Sequence, residues 1–138
     1  MVGRIAVVLD TNVLVASLSS RSPYHCLIEA LLNETFDAVV SHDILLEYEE
    51  ILKQKYHIEV AEAFLRALKE LPNIRECQVY YQWKLLHDED DDKFIDAAVV
   101  ANAHAIVTED RVFNALSTVP FQKLRYSPYK ALSKFCGI

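Results

Sequence analysis

The sequence predicts a three-layer α/β/α sandwich around a central, mostly parallel sheet. Short Val- and Ile-rich segments without polar alternation are typical of strands buried on both faces. Segments with helical spacing and readable helix starts lie between them, so successive strands need right-handed crossovers. The chain has 138 residues, the usual size of one domain, and we expect residues 1–138 to form a single domain.

The strand segments are short and apolar. The first, RIAVVLD at 4–10, does not alternate, and FDAVVS at 36–41 has the same character. We predict the remaining strands at 77–83, 105–108 and 122–127.

Helices fill the intervals, with predicted bounds 22–34, 41–56, 58–71, 91–103, 111–118 and 128–135. Ser22 is the expected cap of the first of these, with Pro23 at its first helical position. Ser41 is the expected cap of the second, and Pro72 ends the third.

Composition excludes several classes of protein. The apolar runs fall far short of the roughly 20 residues that span a bilayer, so no membrane association is expected. The start MVGRIAVVLD reaches a charge too early for a secretion signal, which favours the cytoplasm. Only two glycines occur, near the two ends, so the glycine-rich phosphate loops of nucleotide-binding proteins are absent.

Cysteine and charge content narrow the function further. The three cysteines, Cys26, Cys77 and Cys136, are widely separated, which favours buried thiols over a disulfide framework or a zinc site. The net charge of −6 is not typical of a non-specific nucleic-acid binder, but it suits a divalent cation if the acids cluster.

Two aspartates follow predicted strands. Asp10 ends the first strand, where it is either a helix cap with its carboxylate in water or one wall of a site. Asp110 follows AIVTE at the end of a later strand. Because the carboxyl ends of parallel strands share one edge of a sheet, we expect both acids to approach the same crevice.

Three further acids are predicted to face this crevice. Glu47 shares a helix face with the apolar Ile44 and Ile51, and an acid within an apolar stripe is informative. Asp92 and Asp96 lie one turn apart on one helix face. Acids in a first helical turn also favour the helix dipole, which explains Asp92 better than it explains Asp96.

Clustered carboxylates repel one another unless a cation joins them. Oxygen-only ligands suit Mg²⁺ or Mn²⁺, which can activate water against a phosphodiester. Asn12 and Thr108 could hold carboxylates or waters by hydrogen bonds. Lys93 and Arg111 directly follow site acids, and each could pair with a carboxylate or meet a phosphate.

Four motifs, in order and spacing, resemble the PIN domain family: VVLDTNVLVASL, SHDILLEYEEIL, DEDDDKFIDAAVVANA and AIVTED. The nearest branch of the family is the VapC-like toxin component of toxin–antitoxin systems. The resemblance covers nearly the whole chain and implies a PIN-like, Rossmann-like sandwich.

The resemblance also implies function. It implies an Mg²⁺- or Mn²⁺-dependent ribonuclease with acids at Asp10, Glu47, Asp92 and Asp110, and with Asp96 as a frequent additional acid. It further implies an RNA substrate, an antitoxin partner and a homodimer. In this chain Glu109 replaces a glycine that often precedes the last acid, and DEDD replaces DPDD. These departures put substrate affinity in doubt more than metal binding.

Two other functions stay open at this level. A PIN-fold module that binds a partner without cutting is compatible with the net charge of −6 and with Glu109. A phosphatase with Asp10 as nucleophile is disfavoured, because Asn12 occupies the place where such enzymes want a second aspartate.

Overall fold

The structure, a computed structural model, describes residues 4–79, 89–109 and 124–137, without the side chains of 89–92 and 124–125. Within these described residues, five strands form one sheet, and they are β1 (Ala6–Leu9), β2 (Asp37–Val40), β3 (Ile74–Glu76), β4 (Ala105–Val107) and β5 (Leu124–Tyr126). Six helices surround it in the part of the chain that the structure describes, and they are α1 (Thr11–Ser17), α2 (His25–Leu32), α3 (His42–Lys55), α4 (Ile58–Glu70), α5 (Glu89–Val100) and α6 (Pro128–Cys136).

All four strand pairings are parallel, in the order β3-β2-β1-β4-β5. The chain builds outward from β1 to β3 and then returns to the other side of β1 at β4. The topological switch therefore lies between β1 and β4, where parallel α/β sheets form a crevice beyond their carboxyl ends. The predicted three-layer α/β/α class is confirmed.

The core follows from the apolar strands. Every residue of β1, β2 and β4 is buried, because helices cover both faces of these strands. Asp37 is the one charged residue among them, and its carboxylate is held by Arg4 at 2.6 Å and by Arg75 Nε at 2.7 Å. This pairing lies at the amino ends of the strands, away from the crevice.

Helix starts agree with the sequence in α3 and differ in α2. The Ser41 hydroxyl accepts from Ile44 N–H and caps α3 as predicted. By contrast, α2 begins at His25 and not at Pro23. Ser22 accepts from Tyr24 N–H at 3.1 Å, and His25 N–H donates to the Ser22 carbonyl at 3.1 Å. These bonds close a separate turn over Ser22–Tyr24, so the hydroxyl caps that turn and not the helix.

The third strand was predicted at the wrong residues. It spans Ile74–Glu76, and the described part of the predicted segment, 77–79, is not regular strand. Only Ile74 of β3 is partly buried, so the strand is fixed by its pairing with β2 and not by apolar content. The sequence between 80 and 83 and the helix predicted at 111–118 lie outside the described residues.

Helix α5 starts earlier than predicted and ends before 103. Asn102 has a φ of 52°, a left-handed conformation that stops a helix. In the part of the chain that the structure describes, no helix is long and apolar enough to cross a membrane.

Candidate functional site

Asp10 sits where the sequence placed it, directly beyond β1 beside the topological switch. It occupies the N-cap position of α1, yet its side chain makes no capping hydrogen bond. Instead, Asp10 Oδ2 accepts a hydrogen bond from the Thr108 hydroxyl at 2.5 Å. Thr108 follows β4 and is fully buried. The carboxylate is therefore held across the crevice, which favours the site over the simple cap.

Glu47 faces the same edge from α3. Its Oε2 accepts a hydrogen bond from the Thr11 hydroxyl, and its Oε1 lies 2.7 Å from Lys93 Nζ on α5. The side chains of Lys93 and Glu47 are only 17% and 22% exposed. Water therefore screens this ion pair less than it screens a pair on the open surface.

The negative charge of this edge acts on the buried side chain of Tyr48. Its buried hydroxyl donates to the Leu9 carbonyl at 2.6 Å, at the end of β1. Burial raises the pKa of the Tyr48 phenol, and the charges of Asp10 and Glu47 raise it further. Because both carboxylates act electrostatically on the Tyr48 phenol, Asp10 and Glu47 both lie near this one buried group.

Helix α5 contributes Asp96, which is 4% exposed. Burying a carboxylate is costly unless it is paired or coordinated. Asp96 is therefore not an acid of a solvated helix start, and it lies on a helix that packs against β1 and β4. Asp92 lies one turn earlier on the same helix, but its side chain lies outside the described residues.

The remaining predicted site residues divide into three cases. Thr108 contacts Asp10, as its predicted role requires, although its effect on a metal stays a prediction. Asn12 is exposed in the first turn of α1, and its predicted role is likewise untested. Asp110 and Arg111 lie outside the described residues.

Glu109 is the last described residue before Asp110. Its side chain is exposed. Burial raises the pKa of Tyr24 to about 12, with the Glu109 carboxylate as the next cause. Tyr24 also meets Tyr129 of α6 edge to face, with ring centroids 5.6 Å apart. The charge of the residue that replaces the usual glycine thus acts on Tyr24, beside the α2–α6 contact.

The sequence analysis did not single out Thr11 as a site residue, although its hydroxyl contacts Glu47. The one available signal was a hydroxyl directly after the strand-end acid, and that signal does not identify Glu47 as its partner. Sequence reasoning also left two roles open for Lys93, and the structure shows the carboxylate pair.

A groove runs along α3 beside these groups. It has a volume of about 420 Å³ and is lined by Asp43, Leu46, Glu47, Glu50, Ile51 and Lys93. Three acids and one lysine give its walls a net negative charge. Such a wall attracts cations and repels phosphate unless a cation intervenes.

The chemistry of the donor set is all oxygen, which suits Mg²⁺ or Mn²⁺ and not zinc. Among the residues whose side chains the structure describes, no group of three His, Cys, Asp or Glu residues is placed to hold a metal ion. The side chains of two of the five predicted acids, Asp92 and Asp110, lie outside the described residues. The described acids fit part of a carboxylate site.

The sequence of this chain was compared with protein-family models and with curated proteins. The family model of the PIN domain matches residues 6–112. No curated protein matches the chain in sequence.

Solved structures share the fold at low identity. One is VapBC2 from Rickettsia felis bound to a DNA fragment from its promoter, with a TM-score of 0.62 and 16% identity, covering 89% of this chain and 98% of that one. Another is VapBC-1 from nontypeable Haemophilus influenzae, with a TM-score of 0.61 and 15% identity, covering 91% and 100%. At such identity the likeness establishes the fold.

Proposed function

Because this chain belongs to the PIN domain family, we propose that it is an Mg²⁺- or Mn²⁺-dependent endoribonuclease and the toxin of a toxin–antitoxin pair. The observation that carries the proposal is the position of Asp10. Its carboxylate lies beyond β1 at the topological switch and is oriented by Thr108 in place of capping α1.

The metal would be held by carboxylates from the set Asp10, Glu47, Asp92, Asp96 and Asp110. When bound, Mg²⁺ or Mn²⁺ would supply an activated water and neutralise charge on a phosphodiester. The negative wall of the α3 groove supports the proposal of such a cation, since this wall by itself repels phosphate.

The protein's own side chains keep the carboxylates in place. Thr108 fixes Asp10, while Thr11 and Lys93 fix Glu47 from opposite oxygens. Groups that orient carboxylate ligands of a metal typically change metal affinity by 10- to 100-fold when they are removed. We assign Thr108, Thr11 and Lys93 this positioning role, with Lys93 and Arg111 also within the set that could meet phosphate.

The structurally similar proteins support a proposal about the partner of this chain. The two solved structures above are VapBC assemblies, and this supports an antitoxin as the partner of this chain. We further propose an RNA substrate, a homodimer, and a cytoplasmic location where RNA and an antitoxin are both available.

A second candidate is a PIN-fold module that binds a partner without cutting. The Lys93–Glu47 ion pair favours it, because Glu47 is already neutralised from within the chain. In that case the carboxylate edge would need no metal, and the family fold would serve as a binding surface.

RNA cleavage distinguishes the two. Purified protein is incubated with a mixture of cellular RNA in Mg²⁺, in Mn²⁺ and in a chelator, alongside Asp10→Asn and the control Glu49→Gln. Glu49 is a matched control because it lies on α3 and pairs with Lys53 at 3.4 Å, on the solvated side of the helix. Metal-dependent cleavage that is lost only in Asp10→Asn supports the nuclease. Cleavage that persists in Asp10→Asn would contradict a nuclease site built on Asp10, and no cleavage under any condition supports the binding module.

A further inference from the structure

Helix α6 carries a basic and aromatic surface in a chain whose net charge is −6. Its sequence, PYKALSKFC, contains two lysines and no acid. Four of its residues are exposed, and we call them the α6 face: Tyr129, Lys130, Ser133 and Lys134. Residues three and four apart on a helix are neighbours, so these side chains form one continuous surface. Among the ion pairs of the described residues, none involves either lysine.

The start of α6 lies at the same edge of the sheet as Asp10. The Asp10 carboxylate accepts from the Thr108 hydroxyl at 2.5 Å, and Thr108 N–H donates to the carbonyl of Tyr126, the last residue of β5, at 3.0 Å. Ser127 then caps α6, and its hydroxyl accepts from Lys130 N–H at 3.1 Å. The first turn of α6 therefore lies beside the carboxyl ends of β4 and β5, next to the crevice.

This first turn presents an oriented ring and an oriented cation. Tyr129 is 64% exposed, more than any other large apolar side chain that the structure describes as exposed. Its ring meets the Tyr24 ring edge to face, with centroids 5.6 Å apart and planes 75° apart. Lys130 Nζ lies over the Tyr126 ring, 4.5 Å from the centroid. An exposed aromatic ring beside a cation is the combination on which single-stranded nucleic acids stack.

The neighbours of Tyr129 favour a nucleobase over an apolar protein surface. The residues exposed beside it on α6 are two lysines and a serine. Lysine is depleted at the centre of protein interfaces, whereas binding of a single strand combines aromatic rings with positive charge. The other large apolar side chains that the structure describes as exposed lie on or directly after α2, α3, α4 and α5, and they are Leu32, Leu46, Tyr56, Ile58, Val60 and Val100.

We propose that the α6 face binds single-stranded RNA beside the crevice: an unpaired base stacks on Tyr129, and the ammonium groups of Lys130 and Lys134 meet neighbouring phosphates. The assignment rests on the proposed nuclease function, since it says where the RNA substrate lies. It also separates two tasks by charge. The α6 face attracts the RNA backbone, while the negative wall of the α3 groove attracts the cation.

RNA affinity tests the stacking contact. Fluorescence anisotropy is measured on the full chain in a chelator, so that metal-dependent cleavage cannot remove the probe. The probe is a fluorescein-labelled single-stranded RNA of mixed sequence and about ten nucleotides, within the usual site size of single-strand binders. Tyr129→Ala should weaken binding by about 5- to 100-fold, the usual effect of losing one stacked base. Tyr129→Phe keeps the ring and should bind like wild type, as should the control Tyr56→Ala, which removes an exposed tyrosine after α3.

Salt dependence tests the lysines separately from stacking. Each phosphate contact on a single strand contributes about 0.7 to the slope of log affinity against log salt concentration. Lys130→Gln and Lys134→Gln should therefore each lower the slope by about this amount. The control Lys69→Gln, which removes an exposed lysine from the last turn of α4, should leave the slope unchanged.

Several results would overturn this assignment. They are no binding by wild type, an unchanged affinity in Tyr129→Ala, or an unchanged salt slope in both lysine variants of α6. If Tyr129→Ala instead dissociates an oligomer on size-exclusion chromatography and keeps its RNA affinity, the α6 face is an interface between copies of this chain. If Tyr129→Ala folds poorly, Tyr129→Leu, which keeps an apolar side chain against Tyr24 without the ring, decides together with the lysine variants.

The RNA surface and the nuclease can fail separately. A wild type that cuts RNA with Mg²⁺ but binds it without need of Tyr129 would refute the RNA surface alone. A wild type that binds RNA through Tyr129 but cuts none with either metal would contradict the nuclease alone.

Discussion

Thr108 donates its hydroxyl hydrogen to Asp10 Oδ2 at 2.5 Å, although 98 positions separate the two residues in the sequence. The bond joins the ends of β1 and β4 across the topological switch. It orients one carboxylate toward the crevice, where a cation would bind.

Thr108→Val tests this bond, because valine keeps the shape and removes the hydroxyl. We expect the affinity for Mg²⁺ to fall by about 10- to 100-fold, since Asp10 loses the group that orients it. Titration calorimetry with Mg²⁺ gives the affinity. The exposed Thr35→Val is the matched control. An unchanged affinity in Thr108→Val would show that the bond does not serve metal binding.

Lys93→Met tests the role of the Lys93 ammonium, the cation that pairs with Glu47 within the chain. Without metal, removal of the partly buried ammonium should cost about 1 kcal/mol of unfolding free energy, because Glu47 loses its counter-charge. Added Mg²⁺ should then stabilise Lys93→Met more than wild type, since a metal replaces the missing charge. Urea unfolding with and without Mg²⁺ measures both effects.

Lys53→Met is the control for that measurement, because Lys53 pairs with Glu49 on the exposed side of α3. We expect little change in that variant. An equal Mg²⁺ effect in wild type and Lys93→Met would argue against competition between lysine and metal.

Tyr48→Phe tests the buried hydroxyl beneath the two acids. The change leaves the Leu9 carbonyl without the hydrogen that Tyr48 donates at 2.6 Å, and should cost about 1–3 kcal/mol. Chemical denaturation measures the loss, with the exposed Tyr56→Phe as control. A loss no greater than that of Tyr56→Phe would mean that the bond contributes nothing to stability.

The pKa of the Cys136 thiol, which burial raises, predicts that the stability of the folded chain depends on pH. Its pKa rises from 9.0 to about 11 in the folded chain, so folding favours the protonated form. Its contribution to stability is complete below pH 9 and is lost as the pH rises toward 11.

Alkylation measures that dependence directly. In Cys77→Ser, the rate of iodoacetamide modification at Cys136 should keep rising up to about pH 11, whereas an ordinary thiol levels off near pH 9. Peptide mass spectrometry assigns the rate to Cys136. A plateau near pH 9 would contradict the raised pKa.

The sequence could predict what depends on local pattern. Asp10 was predicted at the crevice because a parallel sheet collects strand ends at one edge, and Glu47 was predicted there because it interrupts an apolar stripe. The structure agrees with this stripe, since Ile44 and Tyr48 are buried while the Glu47 side chain is 22% exposed.

Features that depend on tertiary pairing could not be predicted. Strand β3 has little apolar content and is fixed by its neighbour β2, so its position was wrong by three residues. The pairing of Lys93 with Glu47 joins residues that no local pattern connects. The roles of Asp92 and Asp110 stay predictions.

Thermal melting titrated with Mg²⁺ and Mn²⁺ tests the central claim most directly, on wild type, Asp10→Asn, Asp92→Asn and the control Glu49→Gln. A bound cation stabilises the folded state by mass action. We expect the melting temperature to rise with metal in wild type and Glu49→Gln, and to rise little in the two aspartate variants. An equal rise in all four proteins, or no rise in wild type, would contradict a divalent-cation site built from these carboxylates.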